Sequence, residues 1–347
     1  MILSFHPCFV ADAQIILADR KLSADDRRLI QTADAIILPQ SCSAELHRAC
    51  KSSSSLLFPD YGIRFKYRGK VGQSILFEKL RIPHPATKRW PSANKFRDRQ
   101  KKESAPPHDM PFFLKADKSH EGEGVYFVDG RNNFEKLSDN LMNPSPLMGE
   151  VYPPLAAPKA TRGKGGGGKD GEHSSTSLFP PPLYPLPPGE GKPFVGQSLE
   201  TALARLEKAG PEGFISQKAI PCGGNVLRAV VLHKKIISYW KRSGKPDGVI
   251  TTVSHGARVD KEWKPELQEK GRAQAQWISE KTGINLAAFD FVFDPGNPDL
   301  QPFILEINYY FGRRGLGGSL RYYRLLLKAV REWLKEKGFN AKTVELI

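Results

Sequence analysis

Cysteine is scarce. Cys8, Cys42, Cys50 and Cys222 are the only four in 347 residues, and none forms a CxxC pair or stands at metal-ligand spacing with a histidine. This spacing argues against a disulfide framework and a structural zinc site, and it suits a reducing compartment. Long apolar runs are also missing: no stretch approaches the roughly 20 residues that cross a bilayer. The opening Met1-Ile2-Leu3-Ser4-Phe5 lacks the basic n-region and long apolar core of a signal peptide and reads as a strand. A cytoplasmic protein with no membrane partner is expected. Acid is short relative to base, with 37 Asp and Glu against 52 Lys and Arg, a net charge of +15. That balance suits either nucleic acid or a small polyanionic ligand. The densest basic stretch, Lys88 to Lys102, reads as a loop and does not interleave bases and rings as a stacking platform does. It reads as a solvated face, and nucleic-acid binding is not expected.

The first eighty residues alternate strand and helix signals. Ser23 is placed to cap a helix with Asp25 and Asp26 in its first turn. Ala35 to Leu38 is an apolar run ended by Pro39, Ser43 to Ala49 reads as a helix, and Ser55 to Phe58 as another strand. Such alternation predicts a parallel sheet, hence an α/β unit. Pro111 to Ala116 and Gly124 to Val128 then read as a hairpin. From about Asn143 to Pro193 the chain is dominated by Pro, Gly and Ser, including Gly165 to Gly168 and Pro180 to Pro182. That composition buries too little apolar surface to offset its ordering entropy, so a disordered insertion is expected, with a polyproline docking arm as the alternative. Beyond it come a helix over Ser198 to Ala209 and strands over Phe214 to Ala219, Val226 to Leu232 and Ile236 to Trp240. A helix over Lys264 to Gly283 follows, then strands over Ala287 to Phe293 and Phe303 to Ile307, and a last amphipathic helix over Leu320 to Lys337.

Two of these strands carry chemistry. Asp290 lies within Phe289 to Phe293, and Glu306 and Asn308 within Phe303 to Asn308. Residues two apart on a strand share a face, so Glu306 and Asn308 point together, away from Leu305 and Ile307. Carboxylates on buried strands are costly unless a positive group lies between them. Hard oxygens that leave room for phosphates are what Mg²⁺ requires, and Mn²⁺ accepts the same set. Lys115 closes a strand just before Glu121-Gly122-Glu123-Gly124, where glycine backbone can approach phosphate oxygens and the lysine adds a point charge.

The order of these motifs resembles that of the ATP-grasp superfamily. Gly69-Lys70 opens a helix before Ile82-Pro83-His84-Pro85-Ala86-Thr87; next come Lys115 with its glycine loop, and Ile215 to Ile220. After these stand Leu227-Arg228, Lys241-Arg242, Asp290, and Leu305-Glu306-Ile307-Asn308. The chain is most similar in flavour to the branch holding ribosomal-protein glutamate ligases and D-alanine–D-alanine ligases. The resemblance implies an α/β fold with an N-terminal Rossmann-like pre-ATP-grasp domain over 1–69 and an ATP-grasp domain over 70–347. The latter would hold a lid lobe about 88–220, interrupted by the insertion, and a metal-binding lobe about 221–347. It further implies ATP and Mg²⁺ as cofactors, with Lys70 and Lys115 on the phosphates and Gly122 to Gly124 as a lid. Gln217, Lys218 and Ile220 would hold adenine, Arg228 and Arg242 would steady the transferred phosphate, and Asp290, Glu306 and Asn308 would bind the metal. The implied activity is ADP-forming ligation of a carboxylate to an amine or thiol through an acyl phosphate. A small-molecule kinase and a non-catalytic nucleotide-binding protein are the alternatives, and a homo-oligomer is compatible with all three.

The substrate side departs from that branch. Its Arg-x-Asn motif is replaced by Ile250-Thr251-Thr252 and Ser254-His255-Gly256. The small residues that follow the metal asparagine are replaced by Tyr309-Tyr310-Phe311-Gly312-Arg313-Arg314. Arg313, Arg314 and His255 are candidates to recognise an anionic substrate, Tyr309 and Tyr310 to pack, and Cys222 to be structural.

Overall fold

Residues 1–103, 105–118, 124–128, 199–208, 213–243 and 257–347 are described by the computed structural model. Strands β1 (Ile2–Ser4), β2 (Phe9–Val10), β3 (Ala13–Gln14), β4 (Ala35–Ile37) and β5 (Leu56–Phe58) alternate with helices α1 (Ala24–Thr32) and α2 (Ala44–Lys51). Four of the strands form a parallel sheet in the order β3-β1-β4-β5. The expected caps are in place. Ser23 accepts from the Asp26 N–H while Asp26 accepts from the Ser23 N–H, and Ser43 accepts from the Leu46 N–H. Alternation divides the strands between two cores, as in sheets buried on both faces. Leu3, Ile36 and Leu57 pack with Ile30, Leu46 and Tyr61. Ile2, Ala35, Ile37 and Phe58 face the other way and share a core with Val230, Leu286 and Trp333 from the far end of the chain.

Helices α3 (Gly62–Lys66) and α4 (Gly69–Lys79) lead to a second sheet, built of β6 (Thr87–Trp90), β7 (Phe112–Ala116), β8 (Val125–Val128) and β9 (Phe214–Lys218). It is antiparallel, in the order β6-β9-β7-β8. Helices α5 (Ala93–Glu103) and α6 (Leu199–Lys208) cover one face through Phe96, Leu199, Leu203 and Leu206, packed on Trp90, Phe112, Leu114 and Phe214. The expected basic loop over Lys88 to Lys102 is therefore corrected to a strand and a helix. Ala93, Phe96 and Gln100 recur at helical spacing on the buried side, and the basic residues take the outer side. Two of them are paired there, Arg97 with Glu207 at 3.2 Å and Arg99 with Glu103 at 2.7 Å.

The third sheet holds β10 (Val226–Leu232), β11 (Lys235–Arg242), β12 (Arg258–Asp260), β13 (Leu286–Phe293) and β14 (Pro302–Asn308), antiparallel in the order β12-β11-β10-β13-β14. One face carries Leu227, Val231, Phe289 and Phe291 against Leu267, Ala275 and Ile278 of α7 (Pro265–Thr282). Gly271 of α7 lies so close to the sheet that a Cβ there would collide with Leu227. The other face packs Val230, Leu232, Leu286 and Ala288 under Tyr322, Leu326 and Trp333 of α8 (Ser319–Glu336). A last strand, β15 (Glu345–Leu346), returns to pair with β2. The architecture is α/β, with a parallel N-terminal sheet followed by two antiparallel sheets. Among the described residues no helix is long and apolar enough to cross a membrane.

Candidate functional site

The apolar second face of the third sheet gives way to charge at one end. Strand periodicity puts Arg228 in phase with Val230, and Asp290 in phase with Ala288. Register places Arg228 directly opposite Asp290, and Asp290 directly opposite Glu306. A bulge shifts the next pairing to Phe291 with Ile304, so Leu305 is the extra residue. Ile304 can then join the apolar face while Glu306 and Asn308 look into the site. Arg228 donates to both oxygens of Asp290, Nε to Oδ1 at 2.8 Å and Nη2 to Oδ2 at 2.7 Å. Lys241 Nζ donates to Oδ2 at 2.9 Å, and Asn308 Nδ2 reaches Asp290 Oδ2 at 3.2 Å and Glu306 Oε1 at 3.0 Å. Burial works to raise the Asp290 carboxyl, which is only 2% exposed, but Arg228 and Lys241 hold it well below the usual carboxylate range. Burial lowers Lys241 against the pull of Asp290.

The second sheet contributes from its uncovered face. Lys115 Nζ donates to Gln217 Oε1 at 2.6 Å, and Gln217 Nε2 donates to Thr87 Oγ1 at 3.1 Å, a chain that crosses β7, β9 and β6. Burial pushes Lys115 down to about 8, with Glu306 pulling it up and Lys70 pressing it down. Lys70 enters from the first turn of α4, and burial lowers it too while Glu306 and Asp117 oppose the shift. Asp117, just past β7, caps that helix from outside. Its Oδ1 accepts from the Val71 N–H at 2.7 Å and its carbonyl from the Lys70 N–H at 3.2 Å. Gly69 stands at φ +62° with a Cβ position that would collide with the Asp117 carboxylate, so only glycine admits this docking. Lys70 and Lys115 thus come from a helix and a strand of different origin to face Glu306 of the third sheet.

The remaining expected site residues separate into groups. Gly124 lies at φ +63°, and its carbonyl accepts from the Ala116 N–H at 2.8 Å, closing the hairpin beside Lys115. Gly122 and His255, together with the 143–193 stretch and residues 250–256, lie outside the described residues. The Lys218 side chain points away to Asp109 at 3.5 Å, and its N–H donates to Ala86 at 2.9 Å. The Ile220 carbonyl accepts from the Cys222 N–H at 2.7 Å. Arg242 is not brought to Arg228. Alternation turns it to the opposite face, where it donates to Asp260 at 2.9 Å and lies 4.4 Å from the Trp263 ring centre. Lys241, its neighbour in sequence, takes the inward place. Arg313 stacks 5.0 Å from Tyr322 and 4.6 Å from Tyr323, Arg314 is exposed at the start of a turn whose Gly315 and Leu316 are buried, Tyr309 packs on Tyr61 and Tyr310 is exposed. Lys241, Asp117 and Thr87 were not foreseen. Only Lys241 had a signal, its in-phase spacing with Tyr239, and that needs the register with Arg228 to be read.

No cluster of three or more His, Cys, Asp or Glu side chains suited to a metal occurs among the described residues. The donor set on offer is two carboxylates and an amide, which suits a hard cation that completes its shell with phosphate and water. Asn308 uses its Nδ2 on both carboxylates, leaving Oδ1 for an ion. Glu306 has no ion-pair partner at contact distance among the described residues. These residues fit magnesium provided that Lys241 leaves Asp290 Oδ2.

No family model and no curated protein matches the chain. Solved structures do. An N5-carboxyaminoimidazole ribonucleotide synthetase in complex with ADP is 11% identical over 88% of this chain, with a TM-score of 0.49. The chain spans 60% of the length of that protein. A RimK-domain ATP-grasp protein from Sphaerobacter thermophilus is 13% identical over 94% of this chain and 97% of its own, with a TM-score of 0.48. Biotin carboxylase from Campylobacter jejuni is 12% identical over 96% of this chain and 64% of its own, also at 0.48.

Proposed function

We propose that the protein binds Mg-ATP between the uncovered face of the second sheet and the charged end of the third, and uses it to activate a carboxylate for ligation to an amine or thiol. The observation that carries this reading is the gathering of the buried Lys70 and Lys115 about Glu306, a carboxylate with no ion-pair partner at contact distance among the described residues. Burial disfavours the Lys115 ammonium, and a triphosphate against it would restore the charge. Phosphoryl transfer asks little covalent work of the protein; positioning and charge neutralisation suffice. Lys70 and Lys115 would hold the phosphates, with Gln217 fixing the direction of Lys115. Asp290, Glu306 and Asn308 would hold magnesium, which when bound would draw charge from the transferred phosphoryl group. Arg228, anchored on Asp290, would meet the acyl-phosphate oxygens.

An anionic substrate is favoured by two guanidiniums beyond Asn308. Arg313 rests on Tyr322 and Tyr323; Arg64 lies 4.9 Å from the Tyr61 ring and 5.9 Å from Tyr309, and donates to the Gln40 carbonyl at 2.9 Å. Neither has a carboxylate partner among the described residues. Both lie beside residues that follow β1, β4 or β5, at the carboxyl edge where open α/β sheets receive ligands. All four cysteines are free, in keeping with a cytoplasmic setting. Calorimetric titration of ATP with Mg²⁺, repeated with EDTA, tests the proposal. Saturable magnesium-dependent binding, followed by carboxylate-dependent ADP release, is expected; folded protein that binds no ATP overturns it.

A further inference from the structure

Lys241 has no part in the mechanism above, yet its ammonium lies on Asp290, a member of the metal donor set. It is 5% exposed, and its Nζ lies 2.9 Å from Asp290 Oδ2, with Glu306 also attracting its charge. Asp290 does not need it. The Arg228 fork already satisfies both carboxylate oxygens at 2.8 and 2.7 Å, the geometry in which guanidinium and carboxylate pair most strongly. Lys241 is therefore a second buried cation on a carboxylate that is already paired. Asn308 Nδ2 links the same Asp290 Oδ2 to Glu306 Oε1, at 3.2 and 3.0 Å.

We propose that Lys241 is a positioning residue that holds the place of the divalent cation. Its ammonium holds the Asp290 oxygen that the metal would take, opposes entry of a bare metal ion, and leaves that oxygen when the metal arrives with nucleotide. The inference rests on the proposed Mg-ATP site and adds an order to it, since metal and nucleotide must enter together.

Mn²⁺ alone, followed by loss of its free-ion paramagnetic resonance signal, provides the test in the absence of nucleotide. Lys241→Met is expected to bind Mn²⁺ at least about tenfold more tightly than wild type, because a like charge a few ångströms from a divalent ion opposes it strongly at low dielectric. Adding Glu306→Gln should remove the gain. Should Lys241→Met fail to melt cooperatively, Lys241→Gln, which retains a donor for Asp290, carries the same comparison. Equal Mn²⁺ affinity in wild type and a folded variant overturns the inference, as does a gain that survives Glu306→Gln. A gain in Mn²⁺ binding by protein that never binds ATP would sink the proposed function and leave the role of Lys241 standing. Normal Mg-ATP binding without the gain would do the reverse.

Discussion

Lys115 allows the nucleotide site to be tested by counting protons. Burial lowers it from the ordinary lysine value to about 8, so in the free protein its charge is half lost at that pH. A triphosphate against Nζ favours the ammonium and should return the group toward the ordinary range near 10.4. Binding at pH 8 should then take up about 0.5 proton per site, against about 0.1 at pH 7 and nearly 0.9 at pH 9. The sign for stability runs the same way. The folded value is the lower one, so the unfolded chain binds more protons between about 8 and 10.4, and this group's destabilising effect eases as pH rises through that window. For binding, affinity should fall as pH rises above about 8, approaching tenfold per pH step until the value in the complex is reached. Calorimetry at each pH in two buffers of different ionisation enthalpy gives the uptake directly as a slope. The nucleotide's own phosphate titrates lower, near 6, and Lys115→Arg keeps the charge without the titration. The difference between wild type and Lys115→Arg therefore isolates the lysine. Binding whose enthalpy is independent of buffer at pH 8, or uptake undiminished in Lys115→Arg, would refute the placement of Lys115 on the phosphates.

Two further outcomes follow from the packing. Asp290→Asn leaves Arg228 and Lys241 buried with a neutral partner and should cost about 3–5 kcal/mol in denaturant unfolding. Glu306→Gln breaks no ion pair at contact distance among the described residues and should cost less stability than Asp290→Asn, while Mg-ATP affinity collapses. A reversed order of these two variants in stability would mean that the ion-pair assignment is wrong. Gly69→Ala must place a side chain at φ +62° and against the Asp117 carboxylate. Beyond the roughly 1–2 kcal/mol of left-handed strain, it should lift Lys70 out of register and weaken ATP binding, measured by the same calorimetry.

Much of this arrangement could be read from residue order. The caps at Ser23 and Ser43, the parallel alternation of the first sheet and the apolar strands around Asp290 and Glu306 are local patterns, and local patterns survive folding. What could not be read depends on distance. The basic stretch over Lys88 to Lys102 looks like a loop while its charges are counted, and becomes a helix once Ala93, Phe96 and Gln100 are seen as one stripe. Asp117 stands two residues past Lys115, but its use as the cap of α4 depends on a docking between elements more than forty positions apart.

The exchange of Arg242 for Lys241 follows from the same limit. Either residue can face Arg228, and the phase of β11 decides. Register puts Tyr239 opposite Arg228, which sends Lys241 inward and Arg242 to Asp260 and Trp263. A one-residue slip would reverse both, placing a guanidinium in the site and a lysine on the indole. That choice matters chemically. An arginine beside Asp290 would duplicate the fork of Arg228, whereas a lysine has a compact charge on a flexible stem and can leave one carboxylate for a phosphate. Tyr239 and Trp240, consecutive in this strand and buried in cores on opposite faces of the sheet, fix the phase, so the pairing that excludes Arg242 from the site also turns Lys241 into it.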